Sequence, residues 1–196
     1  MARFTNQAQL RYGDSVANSN IAVGEILEVL SATKTAVRKV YAQDDTVTYL
    51  ISVVNSGSVP LNGLTLEDNL GMYAFATTTL TPLSYVADTI NYYVNGVLQP
   101  KPTVAAGAPL TVSGLNIPAG GNALLVYETK PTEYAPMAEE SEITNTATIS
   151  GGGITPVNVK ESIQALSEPV LTITKSVSPV PVTENGTLTY TFLVQN

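Results

Sequence analysis

The sequence predicts an all-β protein, an antiparallel β-sandwich in which partial sets of strands flank one complete unit. Short segments of alternating apolar and polar residues recur along the chain, with turn signals roughly every 8 to 12 residues. The 14 Gly and 12 Pro supply many of these turns, and no segment keeps the period of an amphipathic helix. Such a succession of strands is typical of an immunoglobulin-like sandwich.

One stretch of the chain occurs twice. Residues 33–55 read TKTAVRKVYAQDDTVTYLISVVN, and residues 174–196 read TKSVSPVPVTENGTLTYTFLVQN, aligned without a gap at an offset of 175 − 34 = 141. The identical pairs are Thr33/Thr174, Lys34/Lys175, Thr46/Thr187, Thr48/Thr189, Tyr49/Tyr190, Val53/Val194 and Asn55/Asn196. Self-similarity at a fixed period indicates a tandem array of one structural unit.

A second similarity gives the phase of this array. FTNQAQL at residues 4–10 resembles ITNTATI at residues 143–149, near the end of the repeated unit. We therefore expect residues 1–30 to be the last strands of an incomplete unit and residues 31–168 to be a complete sandwich. Residues 169–196 are then expected to be the first strands of a second incomplete unit.

The strands can be placed in order from their alternation and their turns. Residues 4–12 and 20–30 are expected to form a hairpin around the turn-rich loop YGDSVANSN. SATKTAV opens the complete unit, and DDTVTYLISVVN follows as a strand with period two. The residues expected on its inner face are Val47, Tyr49, Ile51 and Val53.

The remainder of the complete unit follows the same logic. Residues 55–63 are expected to be a turn before the strand LTLED, and Asn95-Gly96 is a strong hairpin signal within the Tyr-rich residues 71–108. Two strands around a Pro-Gly turn and a Gly-rich hairpin close the unit. Because immunoglobulin-like domains have about 100 residues, we assign the excess length to the Tyr-rich insertion. Leu166 to Pro169 is the expected linker.

Composition excludes several classes of partner. The 9 Lys and Arg against 16 Asp and Glu give a net charge of −7, which repels nucleic acid and anionic membranes. No apolar run is long enough for membrane insertion, and the first residues lack the layout of a secretory signal. Export is therefore expected to be non-classical, or a leader has been replaced by an initiator Met.

Composition also argues against an enzyme. The absence of His and Cys excludes Ser-His-Asp and Cys-His catalysis, disulfides, and zinc sites built from these residues. The adjacent acids Asp44-Asp45 and Glu139-Glu140 point in different directions and do not form an acid/base pair. We expect no cofactor and no metal. A carbohydrate-binding module or glycosidase is the least favoured interpretation, because Trp is absent.

The repeated motifs resemble the DUF11 repeat of bacterial surface proteins. The resemblance rests on Thr-Lys followed by Thr-x-Thr-Tyr and a later Asn, then LTLEDNL, then ITNTATI. It covers residues 31–165 as one unit and residues 171–196 as the opening of another. It implies a long extracellular array whose fold is similar to the immunoglobulin-like domains of Gram-positive adhesins and pili.

The resemblance also implies a cross-link between Lys34 and Asn145. Collagen-adhesin-type domains carry a Lys-Asn isopeptide bond, and Lys34, Asp68 and Asn145 occur in the corresponding order, at spacings of 68 − 34 = 34 and 145 − 34 = 111. Burial favours a neutral, nucleophilic Lys34 and a protonated Asp68, whose proton would polarise the Asn145 carboxamide. The alternative interpretation is that Lys34 protects an edge strand, Asp68 forms a turn and Asn145 ends a ladder.

Two incomplete units in one chain suggest a function as a polymer. Residues 4–30 of one molecule and residues 171–196 of another would complete a joint by strand addition, giving a head-to-tail homopolymer on a bacterial cell or spore surface. Lys175 and Asn6 would then take the roles of Lys34 and Asn145 across the joint, although no counterpart of Asp68 follows Lys175. The alternative is a stalk segment of a multi-repeat adhesin. The sequence names no host or surface ligand.

Overall fold

The sandwich occupies the middle of the chain. The computed structural model describes residues 2–166 and 172–195, which form 20 β-strands and, within these two ranges, no helix. No helix long and apolar enough to cross a membrane is therefore found in this part of the chain. Residues 30–165 form two six-stranded sheets, which confirms the prediction of an all-β, immunoglobulin-like sandwich.

The strands are short in the Tyr-rich insertion and long elsewhere. Four strands precede the sandwich: β1 (Ala2–Asn6), β2 (Gln9–Tyr12), β3 (Ser15–Asn18) and β4 (Ala22–Ile26). The sandwich contains β5 (Leu30–Ala36), β6 (Val40–Tyr41), β7 (Val47–Asn55), β8 (Leu61–Asp68), β9 (Tyr73–Phe75), β10 (Thr78–Leu80), β11 (Leu83–Tyr85), β12 (Asn91–Val94), β13 (Val97–Leu98), β14 (Thr103–Ala105), β15 (Leu110–Ile117), β16 (Asn122–Pro131), β17 (Glu142–Ser150) and β18 (Val157–Ala165). The strands that follow are β19 (Thr172–Ser178) and β20 (Thr189–Gln195).

The chain passes from one main sheet to the other between β5 and β6, and β6 is called the crossing segment below. The first sheet has the order β13-β12-β16-β7-β5, with β11 also paired to β16, and the second has the order β14-β15-β8-β17-β18-β6. Consecutive strands β5 and β6 therefore belong to different sheets. The short β6 runs parallel to β18, and Gln164 N donates to Lys39 O over 2.8 Å while Leu166 N donates to Tyr41 O over 2.7 Å.

The core lies between the sheets and is built from every second residue of the long strands. In β7, the predicted inner-face residues are at most 1% exposed, which confirms the expected alternation. Large side chains from other strands and loops that complete the core are Leu64, Leu66, Leu83, Ile90, Leu110, Ile117, Leu125 and Ile143. Each such side chain contributes about 1.5–3 kcal/mol by leaving water, so this layer is the main source of stability.

The Tyr-rich insertion adds short strands to both sheets and a separate hairpin of β9 and β10. The predicted turn at Asn95-Gly96 joins β12 to β13, and both residues have positive φ, 48° and 79°, as a tight hairpin turn requires. Tyr92 packs its ring into the core while its hydroxyl donates to Asn116 O over 2.5 Å. The ring is thus buried while its polar end reaches the edge of the sandwich.

The strands before the sandwich differ from the expected long-loop hairpin. β1 pairs with β4, and β2 pairs with β3 around a tight turn at Gly13, so most of the expected loop is strand. The two ladders are out of register by one residue, with Asn6 opposite Ala22 but Gln9 opposite Asn18. At the junction of the two ladders, the hydroxyl of Ser19 accepts a hydrogen bond from Ala8 N over 2.9 Å. The positive φ of Gly13, 55°, permits the turn that the sequence analysis missed.

The hairpin of β19 and β20 repeats the pairing of β5 and β7. Lys34 lies opposite Ile51 in the sandwich, and Lys175 lies opposite Phe192 in the hairpin. Lys175 follows Lys34, and Phe192 follows Ile51, by the same number of residues, which is the offset of the sequence repeat. The sequence repeat is therefore also a repeat of strand register. The predicted linker Leu166 to Pro169 falls largely, and Asn196 entirely, outside the described residues.

The turn after β7 depends on one buried side chain. Asn55 is fully buried, its Nδ2 donates to Val59 O over 2.9 Å and to Pro118 O over 3.0 Å, and its Oδ1 accepts from Gly57 N over 3.0 Å. One amide thus satisfies backbone groups of two loops, as the repeated Asn before a turn suggests.

We expect Asn55→Ala to lower the free energy of unfolding by about 2–4 kcal/mol, because it leaves several backbone groups without partners. Urea titration followed by circular dichroism measures this change. The matched control is Asn91→Ala, which removes an exposed amide that bonds only Thr89 O. Equal effects of the two substitutions would contradict the role assigned to Asn55.

Candidate functional site

Three polar side chains meet in the middle of the apolar core. Lys34 comes from β5 in the first sheet, whereas Asp68 ends β8 and Asn145 lies in β17 of the second sheet. Asp68 is opposite Ala147 of β17, which places it two residues from the level of Asn145. Strand alternation turns all three side chains inward, so residues distant in sequence share one site.

Asp68 is the centre of this cluster. Lys34 Nζ donates to Asp68 Oδ2 over 2.6 Å, and the hydroxyl of Tyr127 donates to the same oxygen. Asn145 Nδ2 lies 3.5 Å from Oδ2. The other oxygen, Oδ1, accepts from Leu70 N over 2.8 Å, which fixes the orientation of the carboxyl group.

Burial determines the electrostatics of the cluster. The side chains of Lys34 and Asp68 have no exposed surface, and Asn145 is fully buried. Desolvation lowers the pKa of Lys34 to about 8, against the opposing charge and hydrogen bond of Asp68. With this pKa about a tenth of Lys34 is an uncharged amine at pH 7, which is the nucleophilic form.

Two stacked tyrosines lie beside the Lys34–Asp68 pair. The rings of Tyr49 and Tyr127 stack with centroids 5.8 Å apart, and Lys34 Nζ lies 4.8 Å from the centre of the Tyr49 ring. Burial raises the pKa of both phenols, so both hydroxyls stay protonated and can donate. Sequence reasoning placed Tyr49 only in the core, and it missed Tyr127, which pairs with Tyr49 across β7 and β16.

The geometry also bears on the alternative roles considered for these residues. β5 is an edge strand, but Lys34 points into the core, whereas a residue that protects an edge faces solvent. Asn145 is the fourth residue of the nine-residue β17 and not the end of a ladder. Asp68 does form a turn through Leu70 N, in addition to its contact with Lys34.

Lys175 and Asn6, the residues predicted for a joint, are exposed and lie in separate two-stranded sheets. Lys175 Nζ lies 4.4 Å from the ring centre of Tyr190, which matches the placement of Lys34 over Tyr49. Asn6 ends β1 opposite Ala22. Among the described residues, no group of three or more acidic side chains is placed to hold a metal ion.

Comparison with known proteins gives structural likenesses only. No family model matches the chain, so the resemblance to the DUF11 repeat stays a prediction. No curated protein matches it either.

Three solved structures illustrate the structural likeness. A variant of BcpA, the major pilin subunit of Bacillus cereus, is 13% identical with a TM-score of 0.50, and the match covers 88% of this chain and 50% of that one. The pilus backbone RrgB of Streptococcus pneumoniae is 12% identical with a TM-score of 0.48, over 62% and 31% of the chains. The collagen-binding domain of a Staphylococcus aureus adhesin is 16% identical with a TM-score of 0.41, over 68% and 96%.

The chain spans half the length of the BcpA chain and less than a third of the RrgB chain. At 13% identity the likeness to BcpA shows the fold alone, so the function has to be argued from the site.

The lowered pKa of Lys34 predicts a pH-dependent stability in a variant that keeps the amine free, Asn145→Ala. The Lys34 pKa is about 8 in the folded chain and 10.5 in the unfolded chain. Between these two pH values the unfolded chain binds more protons than the folded one, so the free energy of unfolding rises with pH. We expect a rise on the order of 1–3 kcal/mol from pH 8 to pH 10, measured by urea titration.

The double variant Lys34→Ala with Asn145→Ala lacks the group and is expected to show no such rise. The window ends near pH 10, because the raised pKa values of Tyr49 and Tyr127 have the opposite effect above it. Stability that falls between pH 8 and pH 10 in the single variant would contradict the assignment.

Proposed function

We propose that this chain is a structural subunit of an extracellular fibre on a bacterial cell or spore surface. In this proposal the sandwich is a rod unit locked by a Lys34–Asn145 isopeptide bond, and the flanking hairpins join copies head to tail. The observation that carries the proposal is the exposed face of the β19–β20 hairpin, whose counterpart in the sandwich is buried.

This exposed face has the composition of a core. Phe192 is 57% exposed, whereas Ile51, its counterpart at the same register position, is 0% exposed. Tyr190 and Val194 are exposed on the same face of β20, next to Phe192. Large apolar faces of this kind mark sites of association.

The strands before the sandwich offer a second such face. Phe4 and Leu10 are 56% and 71% exposed, and their counterparts Ile143 and Ile149 are at most 2% exposed. Phe4 lies opposite Gly24, and Ile143 lies opposite Ile163. Ile143 follows Phe4 along the chain by the same number of residues as Ile163 follows Gly24. The pairing of β1 with β4 thus has the register of β17 with β18.

The joint follows from the packing within the sandwich. There, β5 packs against β18 of the other sheet, so we place β19 of one molecule against β4 of the next. This contact uses a different surface on each partner, and such contacts generate filaments when they do not close into a ring. Neither hairpin contains a counterpart of β8 or Asp68, so we propose that the joint is held by apolar packing and not by a Lys175–Asn6 bond.

The internal bond would form without a cofactor. The neutral Nζ of Lys34 attacks Cγ of Asn145, the new C–N bond forms, and the bond from Cγ to Nδ2 breaks to release ammonia. Because the fold holds the amine next to the carboxamide, the attack is effectively intramolecular and does not depend on two groups meeting in solution. The bond would join the two sheets and close the long stretch of chain between Lys34 and Asn145. A cross-link over such a loop contributes roughly 3–5 kcal/mol by the chain-entropy account.

The second candidate function is a stalk segment of a multi-repeat surface adhesin. The recurrence of residues 33–55 as residues 174–196 favours it, because neighbouring units of the same chain would then cover both exposed faces. The two functions share the sandwich and its bond, and they differ in whether separate molecules associate.

For the bond, we expect the intact protein to be lighter by the mass of one ammonia than its sequence requires. Lys34→Ala, Asp68→Ala and Asn145→Ala are each expected to show the full mass of their sequence, because the nucleophile, the acid or the electrophile is missing. Mass spectrometry of the denatured proteins measures this. The control Lys39→Ala removes an exposed lysine paired with Glu161 and is expected to keep the deficit. A full mass for the unaltered chain would refute the bond.

For assembly, we expect filaments in negative-stain micrographs of the concentrated protein. Phe192→Asp is expected to abolish them, because it places a charge in the joint. Leu193→Asp is the matched control, since Leu193 is 53% exposed but lies on the opposite face of β20. Filament loss in both variants would contradict the assigned face.

A mixture of two variants tests which surfaces form the joint. Phe192→Asp blocks one end of the molecule and Phe4→Asp blocks the other, so a mixture retains one functional joint and is expected to stop at dimers. Analytical ultracentrifugation distinguishes dimers from monomers and polymers. An unaltered chain that stays monomeric at high concentration would favour the stalk.

A further inference from the structure

Hydrogen-bond donors converge on the carboxyl group of Asp68. Its Oδ1 accepts from Leu70 N over 2.8 Å, and its Oδ2 accepts from Lys34 Nζ over 2.6 Å and from the hydroxyl of Tyr127. Asn145 Nδ2 is a further donor, 3.5 Å from Oδ2. An ionised carboxylate accepts all of these bonds, whereas a protonated carboxyl group needs an acceptor for its own hydrogen. The hydrogen bonds around Asp68 therefore favour its ionised form.

Tyr127 is the side chain that shares an acceptor oxygen with Lys34. Burial raises the pKa of the Tyr127 phenol well above its ordinary value, and the charge of Asp68 and the hydrogen bond to it act in the same direction. The phenol therefore keeps its hydrogen and donates it to Oδ2. A hydrogen bond to a charged acceptor is roughly twice as strong as one between neutral groups. Tyr127 thus stabilises the ion pair of Lys34 and Asp68 more than the neutral pair that forms when a proton moves from Nζ to Oδ2.

This pair has no other buried charge beside it in the described part of the chain. Glu161 lies opposite Asn145 in the ladder, but its carboxylate is paired with Lys39. Burial raises the pKa of Tyr49, so this phenol stays neutral. The balance between the ionic and the neutral pair is therefore set by the direct contacts of Asp68.

We infer that Tyr127 is a positioning residue that holds Lys34 and Asp68 in the ionic form and thereby slows the cross-linking of Lys34 to Asn145. This inference rests on the proposed isopeptide bond. The reaction needs an uncharged amine, and in the ion pair the lone pair of Nζ is occupied by a proton. Removal of the Tyr127 hydroxyl raises the population of the neutral pair and, with it, the rate of linking.

The steps balance without an added reactant. One N–H bond of the Lys34 ammonium breaks and an O–H bond forms on Asp68 Oδ2, which leaves both groups neutral. The amine attacks Cγ of Asn145 and gives a second proton to Nδ2, the new C–N bond forms, and the bond from Cγ to Nδ2 breaks. Ammonia leaves, and Asp68 retains the first proton. Tyr127 acts on the first step, because its hydroxyl bonds the oxygen that takes the proton.

The test compares linking rates in three chains that differ in the strength of the donor at position 127. Tyr127→Phe removes the donor, whereas Tyr127→3-fluorotyrosine, introduced by codon suppression, keeps the ring and carries a more acidic hydroxyl that donates more strongly. From the difference between a charged and a neutral hydrogen bond, we expect Tyr127→Phe to link roughly fivefold to tenfold faster than the unaltered chain. We expect the fluorinated chain to link more slowly than the unaltered one.

The measurement starts from chains that are not yet linked. Full-length protein from cell-free synthesis is collected in urea, and dilution to pH 7 starts folding and linking together. Intact mass at timed intervals gives the linked fraction, and circular dichroism follows folding. Tyr92→Phe is the matched control, since it removes a hydroxyl that bonds the backbone of Asn116, and we expect the rate of the unaltered chain.

Stability separates this role from a purely structural one. In an Asn145→Ala background, where no bond can form, Tyr127→Phe is expected to lower the urea midpoint, because the carboxylate loses a donor. A purely structural tyrosine would combine that loss with slower linking.

Equal rates in the three chains, or an unaltered chain that links fastest, would overturn the inference. If Tyr127→Phe does not fold, the fluorinated chain decides, and linking as fast as or faster than the unaltered chain would overturn the inference. An unaltered, folded chain that never loses ammonia would instead refute the bond itself.

Discussion

The burial of Lys34 against Asp68 is the interaction on which the rest of the sandwich depends. An ammonium and a carboxylate without access to water are costly unless each satisfies the other, and removal of either leaves an unpaired charge in the core. The two side chains come from opposite sheets, so their contact also fixes how the sheets face each other.

This pair explains the arrangement of aromatic residues around it. Tyr127 stacks on Tyr49, and the Tyr49 ring lies beneath Lys34 Nζ and lowers the cost of its charge. They also bring hydroxyl donors into a region without solvent. The same features that make a charged lysine unfavourable make an amine available for reaction, so stability and chemistry have one origin in this core.

The parts of the site that follow from local patterns could be predicted from the sequence. Alternation in β7 predicted its buried face, whereas Asp68 in LTLED and Asn145 in ITNTA were implied by the resemblance to collagen-adhesin-type domains. Tyr127 could not be found this way, because its place depends on the register between β7 and β16, which lie far apart in the chain. The crossing segment β6 has two residues and no alternation to detect. The early turn at Gly13 was not predicted, although Gly13-Asp14 is a two-residue hairpin signal, because the polar residues around it were interpreted as one long loop.

The Phe4–Gly24 pair has a consequence for which strands can exchange. The Phe4 ring covers Gly24 so closely that a Cβ there would lie 2.2 Å from it, whereas the corresponding positions of the sandwich are filled by Ile143 and Ile163. In the flanking pair one strand therefore carries a large ring and the other carries no side chain, whereas each strand of the sandwich pair carries one isoleucine. A flanking strand carrying a ring would overfill the place of Ile143, and its glycine partner would leave a void at Ile163. This mismatch discourages the flanking strands from invading a finished sandwich, so each segment keeps to its own place even though the repeats share one register.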